Sequence, residues 1–110
     1  AAETALFHKK GMTKMDELCQ RIQKMRTDKG WDKTDTDPIL AKSIVIEAAE
    51  LLECYQWDEE HVDKEAVKSE LADVLMYTIS LCMDNGWDYR QVVYDKFDDV
   101  NRRYPDKNAG

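Results

Sequence analysis

Two short acidic signatures, Glu47-Ala48-Ala49-Glu50 and Glu70-Leu71-Ala72-Asp73, sit inside otherwise apolar runs and limit what this chain can fold into. Residues three apart on a helix are about 60° apart in projection, so each pair presents two carboxylates from one face. Clustered carboxylates taken out of water must pair, take up protons or bind a cation. If the two helices pack antiparallel with these faces opposed, Glu47, Glu50, Glu70 and Asp73 converge on one point. Such an oxygen-only set suits a hard divalent ion, Mg²⁺ or Mn²⁺.

Acids at helical spacing more often line a solvated face, and that reading stays open at this level. The neighbours weigh against it. Ile44, Ile46, Leu51 and Leu52 flank the first pair, and Leu71, Val74, Leu75 and Met76 flank the second. The acids therefore lie on the border of a core stripe.

A chain of 110 residues makes one domain, and one this small buries only about 65% of its unfolded surface, so association with further copies would help it. Its 23 acidic and 16 basic residues leave a net charge of -7, which disfavours nucleic acid or an anionic membrane as a general partner. A small anionic ligand would need a metal escort. Cys19, Cys54 and Cys82 form an odd set without metal-type spacing, each in a helical pattern, which fits a reducing cytosol. No apolar stretch approaches the ~20 residues of a membrane span. The expectation is a soluble, cytoplasmic protein.

Residues 1–11 carry little pattern and read as an expression leader ahead of Met12, leaving a helical domain over 12–105 and a short tail over 106–110. From Thr13, Met15, Leu18, Cys19, Ile22 and Met25 keep helical spacing up to Gly30, which marks the stop. Trp31 to Pro38 is polar and reads as a loop, with a helix start near Asp37 and Pro38. A second helix is expected to Gln56, a charged connection follows to Asp63, and a third helix runs from Lys64 to Asp84. Asn85-Gly86 is a stop, and Asp88 caps a final helix that reaches Arg103. Strand alternation is absent. The class is all-α, a four-helix, bundle-like antiparallel subunit.

The run Ser43-Ile44-Val45-Ile46-Glu47-Ala48-Ala49-Glu50-Leu51-Leu52-Glu53, then Tyr55-Gln56-Trp57, then Glu70-Leu71-Ala72-Asp73-Val74-Leu75, resembles the MazG-like all-α nucleotide pyrophosphohydrolases. Their signature is Glu-x-x-Glu, a spacer, then Glu-x-x-Asp. The likeness extends from Met12 to Pro105 and includes Lys96 and the closing Arg103-Tyr104-Pro105. It departs at Ile46, where the longer form of the motif has another acid. It departs again at Val100, where many relatives have asparagine, while Asn101 stands one residue later. The resemblance implies Mg²⁺-dependent hydrolysis of a (deoxy)nucleoside triphosphate to the monophosphate and pyrophosphate, as in the related dCTP pyrophosphatases and dimeric dUTPases. It also implies a house-cleaning role in nucleotide pools and a homodimer at least, with a tetramer of two dimers compatible.

On that reading Glu47, Glu50, Glu70 and Asp73 hold the metal. Glu53, one turn beyond Glu50, would orient or deprotonate the attacking water, although a surface glutamate paired with a lysine fits its position equally well. Lys96 and Arg103 are seven residues apart and share a helix face, so both reach the terminal phosphates if that face borders the metal; otherwise they are solvated cations. Trp31 and Trp57 would stack against a base, against the commoner alternative of core packing. Trp87 reads as packing at a helix start, Lys42 and Ser43 are lesser candidates for substrate contact, and His8 and His61 lack a nucleophile partner. Two other readings remain open: a non-catalytic metal-binding helical oligomer or regulator, and a pyrophosphohydrolase of phosphoribosyl-ATP.

Overall fold

The computed structural model describes residues 14–107, so the expected leader lies outside the described residues. Five helices follow one another: α1 (Lys14–Asp28), α2 (Trp31–Thr34), α3 (Asp37–Gln56), α4 (Lys64–Asp84) and α5 (Tyr89–Arg103). The all-α expectation holds. The loop expected from Trp31 to Pro38 contains one helical turn, α2, which the polar composition concealed. Gly30 makes it possible by taking a left-handed φ of 75° between the two helices.

The other boundaries follow from local chemistry. Asp63 caps α4 by accepting from the backbone N–H groups of Glu65 (3.1 Å) and Ala66 (3.3 Å), and Asp88 caps α5 by accepting from Arg90 N–H (2.9 Å). α4 ends in a paired glycine stop: Gly86 N–H donates to Met83 O (3.0 Å) and Trp87 N–H to Cys82 O (2.9 Å). That geometry needs Gly86 at φ 74°. Pro38 lies in the first turn of α3, where its missing N–H costs no helical bond.

The frame is the antiparallel α3–α4 pair, against which α1 packs. Asn85 at the end of α4 donates from Nδ2 to Asp37 Oδ2 (2.9 Å) at the start of α3, which sets the register. Ten residues along α3 from that point, about 15 Å at 1.5 Å per residue, lies Glu47; a similar distance back along α4 lies Asp73. The buried apolar residues are Ile22 from α1, Leu40 from α3, and Val67, Ile79 and Cys82 from α4. Leu40, 1% exposed, is the centre of that contact.

Arg26 joins α1 to α4. It is only 3% exposed, and its guanidinium forks onto Asp84 (3.0 and 2.8 Å) while also donating to Gln23 (3.2 Å). The hydrogen bond to Asp84 raises its pKa further, against the opposing effect of burial.

The described residues do not close a bundle. α5 buries no residue, and Trp87, expected to pack at its start, is exposed. Val45 (69% exposed) and Leu52 (65%) on α3, Leu75 (58%) on α4, and Val93, Tyr94 and Phe97 on α5 also remain open. The helical periodicity of these positions is real, but apart from the edge-to-face contact of Tyr94 with Phe97 the described residues leave them uncovered. No described helix is long and apolar enough to cross a membrane.

Asp84→Ala would leave a buried guanidinium without its counter-charge, and because Asp84 is itself partly solvated the expected loss is about 2–3 kcal/mol. Urea denaturation of the variant against the parent measures it.

Candidate metal and ligand site

The register of α3 against α4 brings Glu47, Glu70 and Asp73 together, with one carboxylate oxygen from each lying within 4.8 Å of the others. All three are half-buried. Glu50, the fourth expected ligand, is exposed and outside this three-way set, although it borders Glu47 closely enough to act on its ionisation. The two motifs therefore converge as their spacing requires, with three members at the centre and one at the edge.

The electrostatics of the cluster are unresolved by protein groups alone. Glu47 Oε2 and Glu70 Oε2 are shielded from solvent and have no hydrogen-bond partner. Two ionised carboxylates cannot donate to each other, so a shared proton or a cation must stand between them. In the absence of a cation the proton solution raises Glu47: the Glu70 carboxyl beside it, then Glu50, then burial, push its pKa up from 4.5 to about 7. Orphaned oxygens in an all-carboxylate set fit a hard divalent ion, with Glu47, Glu70 and Asp73 as the residues that would hold it.

Asp73 also forms part of a cavity of about 180 Å³, whose walls include Trp31, Leu40, Met76 and Tyr77. Trp31 comes from the one-turn helix α2, and Lys29 Nζ lies 5.7 Å from its ring centre. Of the two tryptophans expected to meet a base, the structure brings this one to the acids. Trp57 is 85% exposed and does not line the cavity. Tyr77, one turn beyond Asp73, was not singled out from the sequence. Burial, followed by the charges of Glu47, Asp35 and Asp73, keeps its phenol protonated to higher pH than usual. The apolar run around it gave no signal that one face opens onto a cavity.

The expected phosphate-binding cations lie elsewhere in their contacts. Asp99 accepts from Lys96 Nζ (2.8 Å), Arg103 (3.2 Å) and Arg102 (2.5 Å), all on α5. Lys96 and Arg103 do share a face, but among the described residues neither pairs with a cluster acid. Glu53 is exposed one turn beyond Glu50, and the lysine pairing that would make it structural is not among the described ion pairs. Lys42 is exposed and Ser43 half-buried on α3. His61 is engaged with Asp58 (2.9 Å) in the α3–α4 connection.

Comparison with known proteins gives the same geometry a context. The model of the MazG-like family matches residues 42–110, which include both acidic motifs. The chain is 32% identical to dCTP pyrophosphatase 1 of Bos taurus, over 71% of this chain and 52% of that protein. It is 29% identical to dCTP pyrophosphatase 1 of Mus musculus, over 71% of this chain and 51% of that one. It thus spans about half the length of these curated relatives. Among solved structures, a pyrophosphatase from Archaeoglobus fulgidus superposes with a TM-score of 0.78 at 35% identity, covering 86% of this chain and 95% of that one.

The raised pKa of Glu47 predicts a pH effect on stability. Its folded value of about 7 lies above the ordinary 4.5, so the folded state holds the proton more tightly. Stability from this group is fully present below 4.5 and is lost as pH rises through about 7. Asp58 and Asp88, whose pKa values are lowered, act only below 3.8 and do not mask it. Thermal melts in EDTA should therefore give a higher Tm at about pH 5.5 than at about pH 8, with the difference reduced in Glu47→Gln and when excess Mn²⁺ replaces the EDTA.

Proposed function

Because this chain belongs to the MazG-like family, we propose that it hydrolyses (deoxy)nucleoside triphosphates to the monophosphate and pyrophosphate, with Mg²⁺ as the natural cofactor and Mn²⁺ as a substitute. The observation that carries this reading is the convergence of Glu47, Glu70 and Asp73, with two shielded oxygens lacking any partner. A triphosphate cannot approach such a cluster unaided, because both carry several negative charges. A divalent ion bound there neutralises phosphate oxygens and eases charge build-up on the leaving group.

The chain's own residues supply position and proton handling. Water attacks the α-phosphorus, the bond from that phosphorus to the bridging oxygen breaks, and a proton leaves the attacking water. Glu53, exposed beside Glu50, is the group assigned to hold that water and accept the proton. Trp31 stands in the adjoining cavity as the stacking surface for a base. Lys96 and Arg103 are grouped around Asp99 on α5, and their assignment to phosphate requires that α5 from one copy approach the acids.

That approach is part of the same proposal. Apolar positions on α3, α4 and α5 face solvent in a single chain, far more than isolated surface residues account for. A second copy of equivalent apolar character is the occupant that covers them, so a homodimer is the working unit and a tetramer of two dimers an extension of it. Residence in the cytoplasm and a role in clearing nucleotide pools accord with this chemistry.

Release of pyrophosphate and monophosphate from a panel of NTPs and dNTPs should require Mg²⁺, stop in EDTA, and fall by about a hundredfold or more in Asp73→Asn. Cation binding without any turnover would favour the non-catalytic module, and turnover of phosphoribosyl-ATP alone would favour that substrate. Sedimentation should give at least twice the 12.8 kDa chain mass, and Phe97→Glu should shift the distribution toward the single chain.

A further inference from the structure

The cavity beside Asp73 has polar groups in unequal states of engagement. The guanidinium of Arg26 is held by Asp84 and Gln23, and its Nε is shielded from solvent without a partner. Ser80 donates its hydroxyl proton to Met76 O (2.7 Å). Asp35 differs from both. It is half-buried and lines the cavity, yet its carboxylate takes part in no hydrogen bond or ion pair among the described residues. Only its backbone is engaged, by donation of N–H to Trp31 O (2.8 Å).

The charge of Asp35 acts on Arg26 and Tyr77, but its oxygens accept no hydrogen bond among the described residues, and such an acceptor beside Trp31, Leu40 and Met76 discriminates among flat guests by where they carry N–H groups. A guest that donates to it replaces the water it loses; a guest that turns a carbonyl oxygen toward it leaves a desolvated charge facing a like partial charge. The space, about 180 Å³, is below the ~300 Å³ at which drug-sized sites begin, and suits one heterocycle.

We propose that Asp35 is a specificity-determining residue that accepts a hydrogen bond from the exocyclic amino group of a cytosine- or adenine-type base in this cavity, and disfavours the carbonyl that uracil and thymine carry there. Carboxylates recognise the cytosine amino group by this pairing elsewhere. Tyr77, in the same cavity, supplies a neutral hydroxyl as a donor. Cytosine and adenine both place an acceptor ring nitrogen next to the amino group, whereas uracil places an N–H beside its carbonyl. The inference rests on reading the acid cluster as the triphosphate site, because that cluster sets which cavity the base enters.

The test compares kcat/KM for dCTP, dATP, dUTP and dTTP in the parent and in Asp35→Asn, whose amide also donates to a carbonyl. A separate arm measures the Kd of dCMP, dUMP and the pyrimidin-2-one nucleotide lacking the amino group, by tryptophan fluorescence. The expected result is a roughly ten- to hundredfold preference for the amino-bearing bases. That preference should collapse or invert in Asp35→Asn, with an equivalent loss of binding for the nucleotide lacking the amino group. Equal turnover of all four nucleotides, or a preference unchanged by the variant, overturns the assignment while leaving the hydrolytic function standing. No turnover of any nucleotide overturns the function instead, and the monophosphate Kd values then decide the role of Asp35, with equal values overturning it. Should the variant fail to fold, the ligand lacking the amino group decides the question in the parent protein.

Discussion

Repulsion among carboxylates across the α3–α4 contact is the constraint around which this structure is arranged. Glu47, Glu70 and Asp73 meet because the same two helices that bury Leu40, Val67 and Ile79 must lie antiparallel in a fixed register, and the link from Asn85 to Asp37 holds that register at the far end. Apolar burial therefore supplies the force that holds the acids together, while proton uptake at Glu47 or a bound cation relieves it. A helix pair with so few buried residues has little stability to spare for unrelieved repulsion. On the proposed reading, cation binding and folding stability are thus coupled through one interface.

The same small core explains the open faces. α3 and α4 each carry apolar residues on more than one side, but α1 covers one side only, and α5 buries nothing. Val45, Leu52 and Leu75 remain on the frame, and Tyr94 and Phe97 pack edge to face on α5 with ring centres 5.7 Å apart. On the proposed reading a second copy completes this core. The cationic group around Asp99 would then travel with α5 toward acids that its own chain does not place beside it.

The elements with strong local chemistry were legible in the sequence. The bounds of α4 follow from Asp63 at one end and Asn85-Gly86 at the other, and those of α5 from Asp88. The acid cluster was legible because spacing on a helix leaves few arrangements for four carboxylates among apolar neighbours. Other features depended on what lies across from a residue, which spacing does not encode. Trp31 and Trp57 look alike in sequence, yet one lines a cavity and the other stands in solvent. The polar stretch after Gly30 hid a helical turn, because Asp and Thr favour loops on average while a single turn needs only local hydrogen bonds. Nothing in the local pattern around Arg26 marks it as buried, because its burial depends on Asp84, 58 residues later.

Asp73 belongs to both the acid cluster and the cavity, and that sharing links the two halves of the site. On the proposed reading, a ligand with a cation-bridged anionic end and a flat heterocyclic end would fit such a boundary better than either a free phosphate or a free base, since each alone would leave half of the site unfilled. Arg26 and Asp84 stiffen this boundary from behind, because they clamp α1 to α4 one turn away from Ser80 and fix where the chain turns into α2. Movement of α1 would displace Trp31 and Asp35 together relative to Asp73. On the proposed reading, the distance between base and reacting phosphate would depend on this ion pair at the back of the cavity, and the charge of Arg26 offsets the nearby acids.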